Sequence, residues 1–135
     1  MPQYSKRIGK SSAGWREIGN QKCYFRSRWE ANFSRYLELL KTNNQIKAWF
    51  HEPHTFWFHE IMRGIRSYKP DFKVIESHES HIWYEVKGYS DAKSRTKMKR
   101  MKKYYPDEKI TIIDGKWFFK NGAMLSRVIS GWEYT

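Results

Sequence analysis

Two acidic residues and a lysine lie close together in the middle of the chain. Asp71 is followed fourteen residues later by Glu85, and Lys87 comes two residues after that. The stretches 68–75 and 81–87 are rich in aromatic and β-branched residues and flank a polar turn, so we predict that they form a β-hairpin. Side chains alternate across a strand, which places Glu85 and Lys87 on one face. Asp71 on the adjacent strand would complete a cluster there.

Such a cluster has the composition of a hydrolytic metal site. Hard divalent cations bind oxygen ligands and are often held by one or two carboxylates, waters and a substrate phosphate. Asp71 and Glu85 supply this pair of carboxylates, and we predict Mg²⁺ as the cofactor, with Mn²⁺ as the alternative. A bound cation acidifies its water and balances charge on a phosphate under attack. The Lys87 ammonium would orient or deprotonate that water, or stabilise the phosphate in the transition state.

With these residues in this order, the chain resembles the PD-(D/E)XK nuclease superfamily. Pro70 and Asp71 match its first motif element, and Glu85 and Lys87 match its second. The order of a helical Glu, Pro-Asp and Glu-x-Lys-Gly is similar to that of phage endonuclease I-like Holliday junction resolvases, over roughly residues 26–114. The resemblance implies an α/β fold with a mixed β-sheet flanked by helices, a restriction-endonuclease-like core. It also implies Mg²⁺-dependent hydrolysis of phosphodiester bonds in branched DNA, and a helical glutamate as a further metal ligand.

Glu30 is the residue that this resemblance implies as the helical ligand. Residues 27–40 show the spacing of an amphipathic helix. Glu30 lies at the border of the apolar face and could reach the sheet, whereas Glu38 points away and is predicted to be a solvated surface charge. The alternative for Glu30 is structural, with Ser27 as the N-cap and Glu30 at the capping-box position. The apolar face consists of Trp29, Phe33, Tyr36, Leu37 and Leu40.

The size and composition of the chain favour a single catalytic domain. With 135 residues we predict a basic flexible N-terminal arm over 1–25 and a nuclease domain over 26–135. The 7 Trp, 9 Tyr and 8 Phe predict a largely aromatic core. Neither a signal peptide nor a transmembrane stretch is evident, so we expect no membrane partner and a cytoplasmic protein, in the host cell if the gene belongs to a phage. The single cysteine, Cys23, excludes an internal disulfide.

The formal charge of +12 predicts a polyanionic partner. Seven Lys or Arg residues and no acidic residue lie between positions 93 and 103, in a segment that predicts a helix ending before Pro106. Met98 and Met101 can pack inward while basic side chains line the outer face. We predict that this helix binds nucleic-acid phosphates through Lys93, Arg95, Lys97, Arg100 and Lys103.

The remaining hydrophobic segments predict further strands. Aromatic and β-branched residues predict strands over 48–54 and 56–61. A β-branched run predicts a buried strand over 109–114, followed by a turn at 115–116.

Histidines occur in the segments 48–54 and 56–61, and another glutamate occurs in the first of them. His51, His54 and His59 lie among aromatic residues, which favours packing or hydrogen bonding over zinc binding. Glu52 could lie near the metal.

These observations together predict a metal-dependent DNA endonuclease. Asp71, Glu85 and Glu30 would hold the metal, and Lys87 would be the catalytic amine. Junction DNA as substrate follows from the resemblance alone, and symmetrical cutting of two strands implies a homodimer active in DNA recombination. Three alternatives remain: a non-catalytic DNA-binding protein, a nuclease subunit of a transposition or packaging machine acting on linear DNA, and an RNA substrate.

Overall fold

The computed structural model describes residues 12–134 and has an α/β architecture with a mixed sheet. This confirms the predicted class, a mixed β-sheet flanked by helices. No helix in the described part of the chain is both long and apolar enough to cross a membrane. The elements, in chain order, are β1 (Gly14–Ile18), β2 (Gln21–Phe25), α1 (Arg28–Thr42), β3 (Ile46–His51), β4 (Phe56–Trp57), β5 (Ser67–Tyr68), β6 (Phe72–Glu76), β7 (His81–Val86), α2 (Ala92–Tyr104), β8 (Ile110–Ile113) and α3 (Gly115–Val128).

The central sheet has four strands in the order β3-β6-β7-β8. Strand β6 is antiparallel to both β3 and β7, so the predicted β6–β7 hairpin is confirmed. Strand β8 is parallel to β7, with Val86 beside Ile113, and α2 provides the crossover that a parallel pair requires. The helix that follows Lys87 therefore begins at the end of the sheet where Glu85 lies.

Strand boundaries around Pro70 differ from the prediction of one strand over 68–75. Tyr68 pairs with Phe56 in the short β4–β5 sheet, and β6 begins only at Phe72. Proline has no backbone N–H to donate to a ladder, so strand pairing is interrupted there. The predicted strand over 56–61 is reduced to two residues for lack of a longer partner.

The first strand of the central sheet, β3, ends at His51, before the predicted boundary at residue 54, and the chain bends at Glu52. Glu52 has a positive φ of 49°, an unfavourable conformation for a residue with a side chain. Its N–H donates a hydrogen bond of 2.8 Å to the carbonyl oxygen of Asp71, which holds the bend against the start of β6.

Residues 14–25 form the antiparallel hairpin β1–β2, where the sequence analysis expects a flexible arm. Ile18 and Phe25 from this hairpin are buried in the main hydrophobic core, so the folded domain begins before residue 26. The part of the expected arm at residues 1–11 lies outside the described residues.

Glu38 is not the solvated charge that helical periodicity predicts. Its carboxylate is half-buried and accepts a hydrogen bond of 2.8 Å from the indole N–H of Trp49 on β3. The turn of the hairpin also approaches it: Gly19 has a φ of 57°, and a Cβ there would lie 2.4 Å from the Glu38 carboxyl carbon. The tight turn between β1 and β2 therefore requires glycine.

Phe33 is the centre of the contact between α1 and the sheet. Its ring lies 5.3–5.7 Å, centroid to centroid, from the rings of Tyr36, Phe72, Tyr84 and Trp117. Aromatic pairs at such distances add to the stabilisation from burial. The predicted aromatic core thus fixes α1, and with it Glu30, on the sheet.

The segment after β7 also differs in part from the prediction. Helix α2 spans the predicted basic segment and ends before Pro106. Residues 115–116 start α3 and do not form a turn, because the Asp114 side chain accepts a hydrogen bond from the Trp117 N–H as an N-cap. Strand β8 is an edge strand, and Ile112 is 44% exposed where a buried strand is predicted.

Glu133 ties the end of the described chain to the domain. Its carboxylate accepts hydrogen bonds from Arg16 on β1, at 2.6 and 2.8 Å, and from Arg35 on α1, at 2.9 Å. The Asn32 side chain exchanges two further bonds with the Glu133 backbone, of 2.6 and 2.9 Å. Burial raises the pKa of Glu133, but the hydrogen bonds and charges of the two arginines outweigh it and hold this pKa below its usual value.

We expect Glu133→Gln to lower the free energy of unfolding by about 1–2 kcal/mol at neutral pH, since charge-assisted bonds between partly exposed groups are lost. A carboxyl with a depressed folded-state pKa stabilises the protein above its unfolded pKa and loses this effect as pH falls through the folded pKa. Urea unfolding should therefore show the difference from wild type shrinking below about pH 4. Glu60→Gln, at an exposed position, is the control and should unfold like wild type. A difference that is the same at acid and neutral pH would contradict this role.

Candidate metal centre

Carboxylates from three strands form a row at one end of the central sheet. His51, Phe72 and Tyr84 are neighbours across β3, β6 and β7. Because both strand pairs are antiparallel, the next residues along each strand are also neighbours. These next residues are Glu52, Asp71 and Glu85. The sheet register therefore brings together the two predicted ligands, Asp71 and Glu85, and adds Glu52.

Asp71 is held rigidly in this row. It is 2% exposed, and its Oδ2 accepts a hydrogen bond of 2.8 Å from the backbone N–H of Val86. Its Oδ1 accepts one of 2.9 Å from Nη2 of Arg26. Burial, followed by the charges of Glu85 and Glu30, raises the pKa of Asp71 well above its usual value. The two neighbouring charges show that all three predicted ligands lie close enough to interact.

Glu85 is supported by Tyr68, which sequence reasoning missed. The buried Tyr68 hydroxyl donates a hydrogen bond of 2.8 Å to Oε1 of Glu85. Burial raises the pKa of Glu85, while this hydrogen bond and the charge of Lys87 oppose the shift. The Lys87 backbone N–H donates to the carbonyl oxygen of Ile113 at 2.9 Å, which fixes the chain at the end of β7. The predicted amine and carboxylate are thus close enough to interact.

Glu30 enters the cluster from the first turn of α1. Ser27 is the N-cap, as the structural alternative for Glu30 predicts, and its hydroxyl oxygen accepts a 3.1 Å hydrogen bond from the Glu30 N–H. The Glu30 carboxylate bonds elsewhere: Oε1 accepts from the Arg26 N–H at 2.9 Å, and Oε2 lies 2.8 Å from Nε2 of His51. Burial raises the pKa of Glu30, but the hydrogen bonds from His51 and Arg26 outweigh it and lower this pKa. The side chain is therefore buried in a form that favours the charged carboxylate.

His51 is both packed and hydrogen-bonded, as the sequence predicts for histidines in aromatic strands. Its ring centroid lies 4.6 Å from that of Phe25 and 5.3 Å from that of Phe72. These contacts orient Nε2 towards Glu30. The imidazole is consequently fixed beside a predicted metal ligand.

One group of candidate metal ligands has its ligand atoms close together, and it differs in part from the predicted group. Among residues 12–134, single ligand atoms of Glu30, His51 and Glu52 all lie within 4.8 Å of one another. The predicted trio shares only Glu30 with this group. Oε2 of Glu52 is buried and has no hydrogen-bond partner in the described part of the chain. A set dominated by carboxylates suits Mg²⁺ or Mn²⁺, and the imidazole nitrogen adds a ligand that transition metals accept, so the residues fit a divalent cation.

Arg26 is the second functional residue that sequence reasoning missed. Its guanidinium lies 2.5 Å from Oε2 of Glu52, 2.9 Å from Oδ1 of Asp71 and 3.8 Å from Oε2 of Glu30. The 2.5 Å contact with Glu52 is an ion pair. A signal existed in the sequence, because Arg26 directly precedes the N-cap and is four residues before Glu30. By sequence alone, however, Arg26 is one of 26 lysine and arginine residues.

Helix α2 presents part of its predicted basic face to solvent. Lys93, Arg95 and Lys103 are exposed, and Lys103 Nζ lies 5.3 Å from the ring centre of Tyr104. These side chains can reach a polyanion without loss of a buried contact.

Two of the predicted phosphate contacts have protein neighbours. Lys97 is half-buried, and its charge lowers the pKa of Glu85, which places it near the carboxylates. The Arg100 guanidinium donates a hydrogen bond to the carbonyl oxygen of Ile65 and so holds α2 against the loop before β5. Arg100 thus has a structural contact in addition to its predicted role.

A cavity of about 570 Å³ opens beside Lys87. It lies between the loop after β7, the first turns of α2, and the junction of β8 with α3. Basic and apolar side chains both contribute to its walls, which suits a ligand with charged and flat apolar parts. Its lining includes Lys87, Tyr89, Arg95, Met98, Ile112 and Lys116.

A scan against protein-family models, a search of curated proteins and a search of solved structures each gave no match to this chain.

We expect Tyr68→Phe to weaken Mn²⁺ binding about tenfold, because Glu85 loses the hydrogen bond that orients it. Loss of such a supporting hydrogen bond typically lowers metal affinity or activity by about 10–100-fold. Calorimetric titration of the purified protein measures the affinity. Tyr105→Phe is the matched control: it removes the hydroxyl that donates to the carbonyl oxygen of Trp57, on the edge of the same small core. An unchanged affinity in Tyr68→Phe, or an equal loss in Tyr105→Phe, would refute the role of Tyr68.

Proposed function

We propose that this protein is a divalent-metal-dependent endonuclease that hydrolyses phosphodiester bonds in DNA. The observation that carries the proposal is the row of carboxylates at the end of the sheet, in which Asp71 is buried and the charge of Lys87 acts on Glu85. The chain carries a formal charge of +12, and the basic helix α2 starts at the same end of the sheet. This combination supports the resemblance to the PD-(D/E)XK nucleases.

Different residues of the protein would perform different parts of the reaction. Asp71, Glu85 and Glu30 would hold Mg²⁺ or Mn²⁺, which when bound supplies an acidified water and positive charge for the attacked phosphate. The Val86 N–H fixes Asp71, so the ligand does not need to reorganise. Lys87 would orient or deprotonate the water, or balance charge that develops on the phosphate oxygens.

The free-energy cost of placing these carboxylates close together argues against a protein that only binds DNA. Burial and mutual repulsion both disfavour ionised Asp71 beside Glu85 and Glu30. A protein whose task is to hold phosphate would bind more tightly without these charges. A non-catalytic DNA-binding protein remains the alternative, and it would hold DNA equally well with and without the metal.

For the substrate, we propose branched DNA such as the four-way junction, cut by a homodimer that acts in recombination. This part rests on the similarity to endonuclease I-like resolvases, and a two-fold dimer accounts for symmetrical cuts. Large exposed apolar side chains are available for a subunit interface, including Trp15, Met62 and Phe119 at 65%, 80% and 94% exposure. The alternative is a nuclease subunit of a transposition or packaging machine acting on linear DNA.

Cleavage of a labelled four-way junction tests the activity. We expect cuts in Mg²⁺ and none in EDTA, and a rate lowered about 10²–10³-fold in Lys87→Ala, the range for removal of a group that stabilises transition-state charge. Asp71→Asn should be at least as impaired, because a buried ligand is lost. Lys73→Ala, a half-buried lysine on the neighbouring strand, is the control for loss of a charge from the sheet.

Cleavage of matched linear duplex, single-stranded DNA and RNA, measured in the same assay, identifies the substrate. Equal cleavage of linear duplex would keep the nuclease and exclude junction selectivity, and preferential cleavage of RNA would exclude DNA as the substrate. Junction binding without cleavage in Mg²⁺ or Mn²⁺ would favour the non-catalytic alternative.

We expect the double substitution Lys93→Gln and Arg95→Gln to weaken junction binding and to reduce the slope of log affinity against log salt by about 2, since each phosphate contact contributes about 0.9. Binding in Ca²⁺, measured by fluorescence anisotropy over a salt series, provides the slope. Substitution of Lys41 and Lys120 by Gln removes the same charge from α1 and α3 and controls for net charge. Equal slopes for both double variants would contradict a phosphate-binding role for α2.

A further inference from the structure

A single guanidinium lies among carboxylates from three elements of the candidate metal centre. Nη2 of Arg26 is 2.9 Å from Asp71 Oδ1 and 3.8 Å from Glu30 Oε2, and Nη1 is 2.5 Å from Glu52 Oε2. Arginine is suited to this position because its planar fork directs several N–H groups to separate oxygens. The Arg26 side chain therefore supplies positive charge among three carboxylates that would otherwise repel each other.

A divalent cation requires some of the same oxygens. Mg²⁺ binds carboxylate oxygens at about 2.0–2.1 Å and a guanidinium approaches them to about 2.7–2.9 Å, so both centres bind directly to the lone pairs of carboxylate oxygens. Two positive centres about 4 Å apart also repel each other, and this repulsion is stronger near a protein than in water. A cation on Glu30 and Asp71 therefore competes with the Arg26 guanidinium for these carboxylates.

The geometry indicates which partner would move. Asp71 and Glu30 are 2% and 3% exposed and are fixed by the Val86 N–H and by His51. The Arg26 side chain is 59% exposed, although its backbone N–H remains anchored to Glu30. The guanidinium can therefore turn towards solvent while the carboxylates and the backbone keep their positions.

We propose that Arg26 is an internal counter-ion that a divalent cation displaces from Glu30, Glu52 and Asp71. The inference rests on the proposed function, because it takes Glu30 and Asp71 as metal ligands. Arg26 stabilises the carboxylate row when no cation is bound, and its displacement lowers the apparent affinity for the cation. Cation binding then releases a positive side chain beside the site at which a phosphate would be cut.

Two measurements on the full chain, both without nucleic acid, test this proposal. Mn²⁺ titration should show about tenfold tighter binding to Arg26→Gln than to wild type, within the usual range of coupling between competing ligands. Thermal unfolding in EDTA should show a lower melting temperature for Arg26→Gln, and saturating Mn²⁺ should raise it by more than in wild type.

Lys22→Gln is the matched control. It removes one positive charge from an exposed position on β2, four residues from Arg26, and is expected to keep the wild-type Mn²⁺ affinity and melting temperature. Tighter binding in Lys22→Gln by the same factor would overturn the proposal, because general charge would then explain the effect.

Equal or weaker Mn²⁺ binding by Arg26→Gln also overturns displacement. If this variant does not fold in EDTA, Arg26→Lys provides the test, because lysine keeps the charge but lacks the planar fork. Arg26→Lys should bind Mn²⁺ more tightly than wild type, and equal or weaker binding overturns the proposal.

Absence of Mn²⁺ binding in every protein overturns both the displacement and the metal dependence of the proposed function. Tighter binding by Arg26→Gln in a protein that cuts no DNA supports displacement and overturns only the nuclease activity.

Discussion

Repulsion among buried carboxylates is the constraint on which the rest of the structure depends. Glu30 and Asp71 are removed from water, where each would be stabilised by hydration, Glu85 is half-buried, and the charges of both glutamates act on Asp71. Such a group persists only where positive charge and hydrogen-bond donors compensate it. Arg26 supplies much of this charge. Positive charge and hydrogen-bond donors stabilise a carboxylate only when they lie close to it. The supporting groups are therefore concentrated at this end of the sheet.

The fold keeps the compensating groups in register. The antiparallel pairing of β6 with both neighbours sets Glu52, Asp71 and Glu85 side by side, and the break at Pro70 leaves Asp71 at the entry of its strand. The aromatic packing of Phe33 then fixes α1 on the same sheet. Rigid elements thus hold each acidic group, and the exposed Arg26 side chain is left as the adjustable part.

Local patterns in the sequence are sufficient to predict much of this arrangement. The apolar spacing in α1 and its Ser27 cap, the β6–β7 hairpin, and the basic helix α2 are all set by neighbouring residues, and each was predicted. The Asp114 cap of α3 is also a local signal, but a glycine at position 115 favours the turn predicted over 115–116.

Features that depend on distant packing were not predictable in this way. Glu38 is on the polar side of α1 by periodicity, yet Trp49 from β3 reaches it. The hairpin β1–β2 is rich in polar and basic residues, and only its contact with the core explains why Ile18 and Phe25 are buried. The roles of Arg26 and Tyr68 likewise follow from tertiary contacts over long stretches of chain.

The proposed activity requires a cation bound at this end of the sheet, and the most direct measurement is anomalous diffraction from crystals of the protein grown with Mn²⁺. We predict an anomalous peak about 2 Å from carboxylate oxygens of Asp71 and Glu85, as expected for ligands to a small divalent cation. A peak elsewhere in the molecule, or none at saturating Mn²⁺, would contradict the central claim that these residues form a metal-dependent active site.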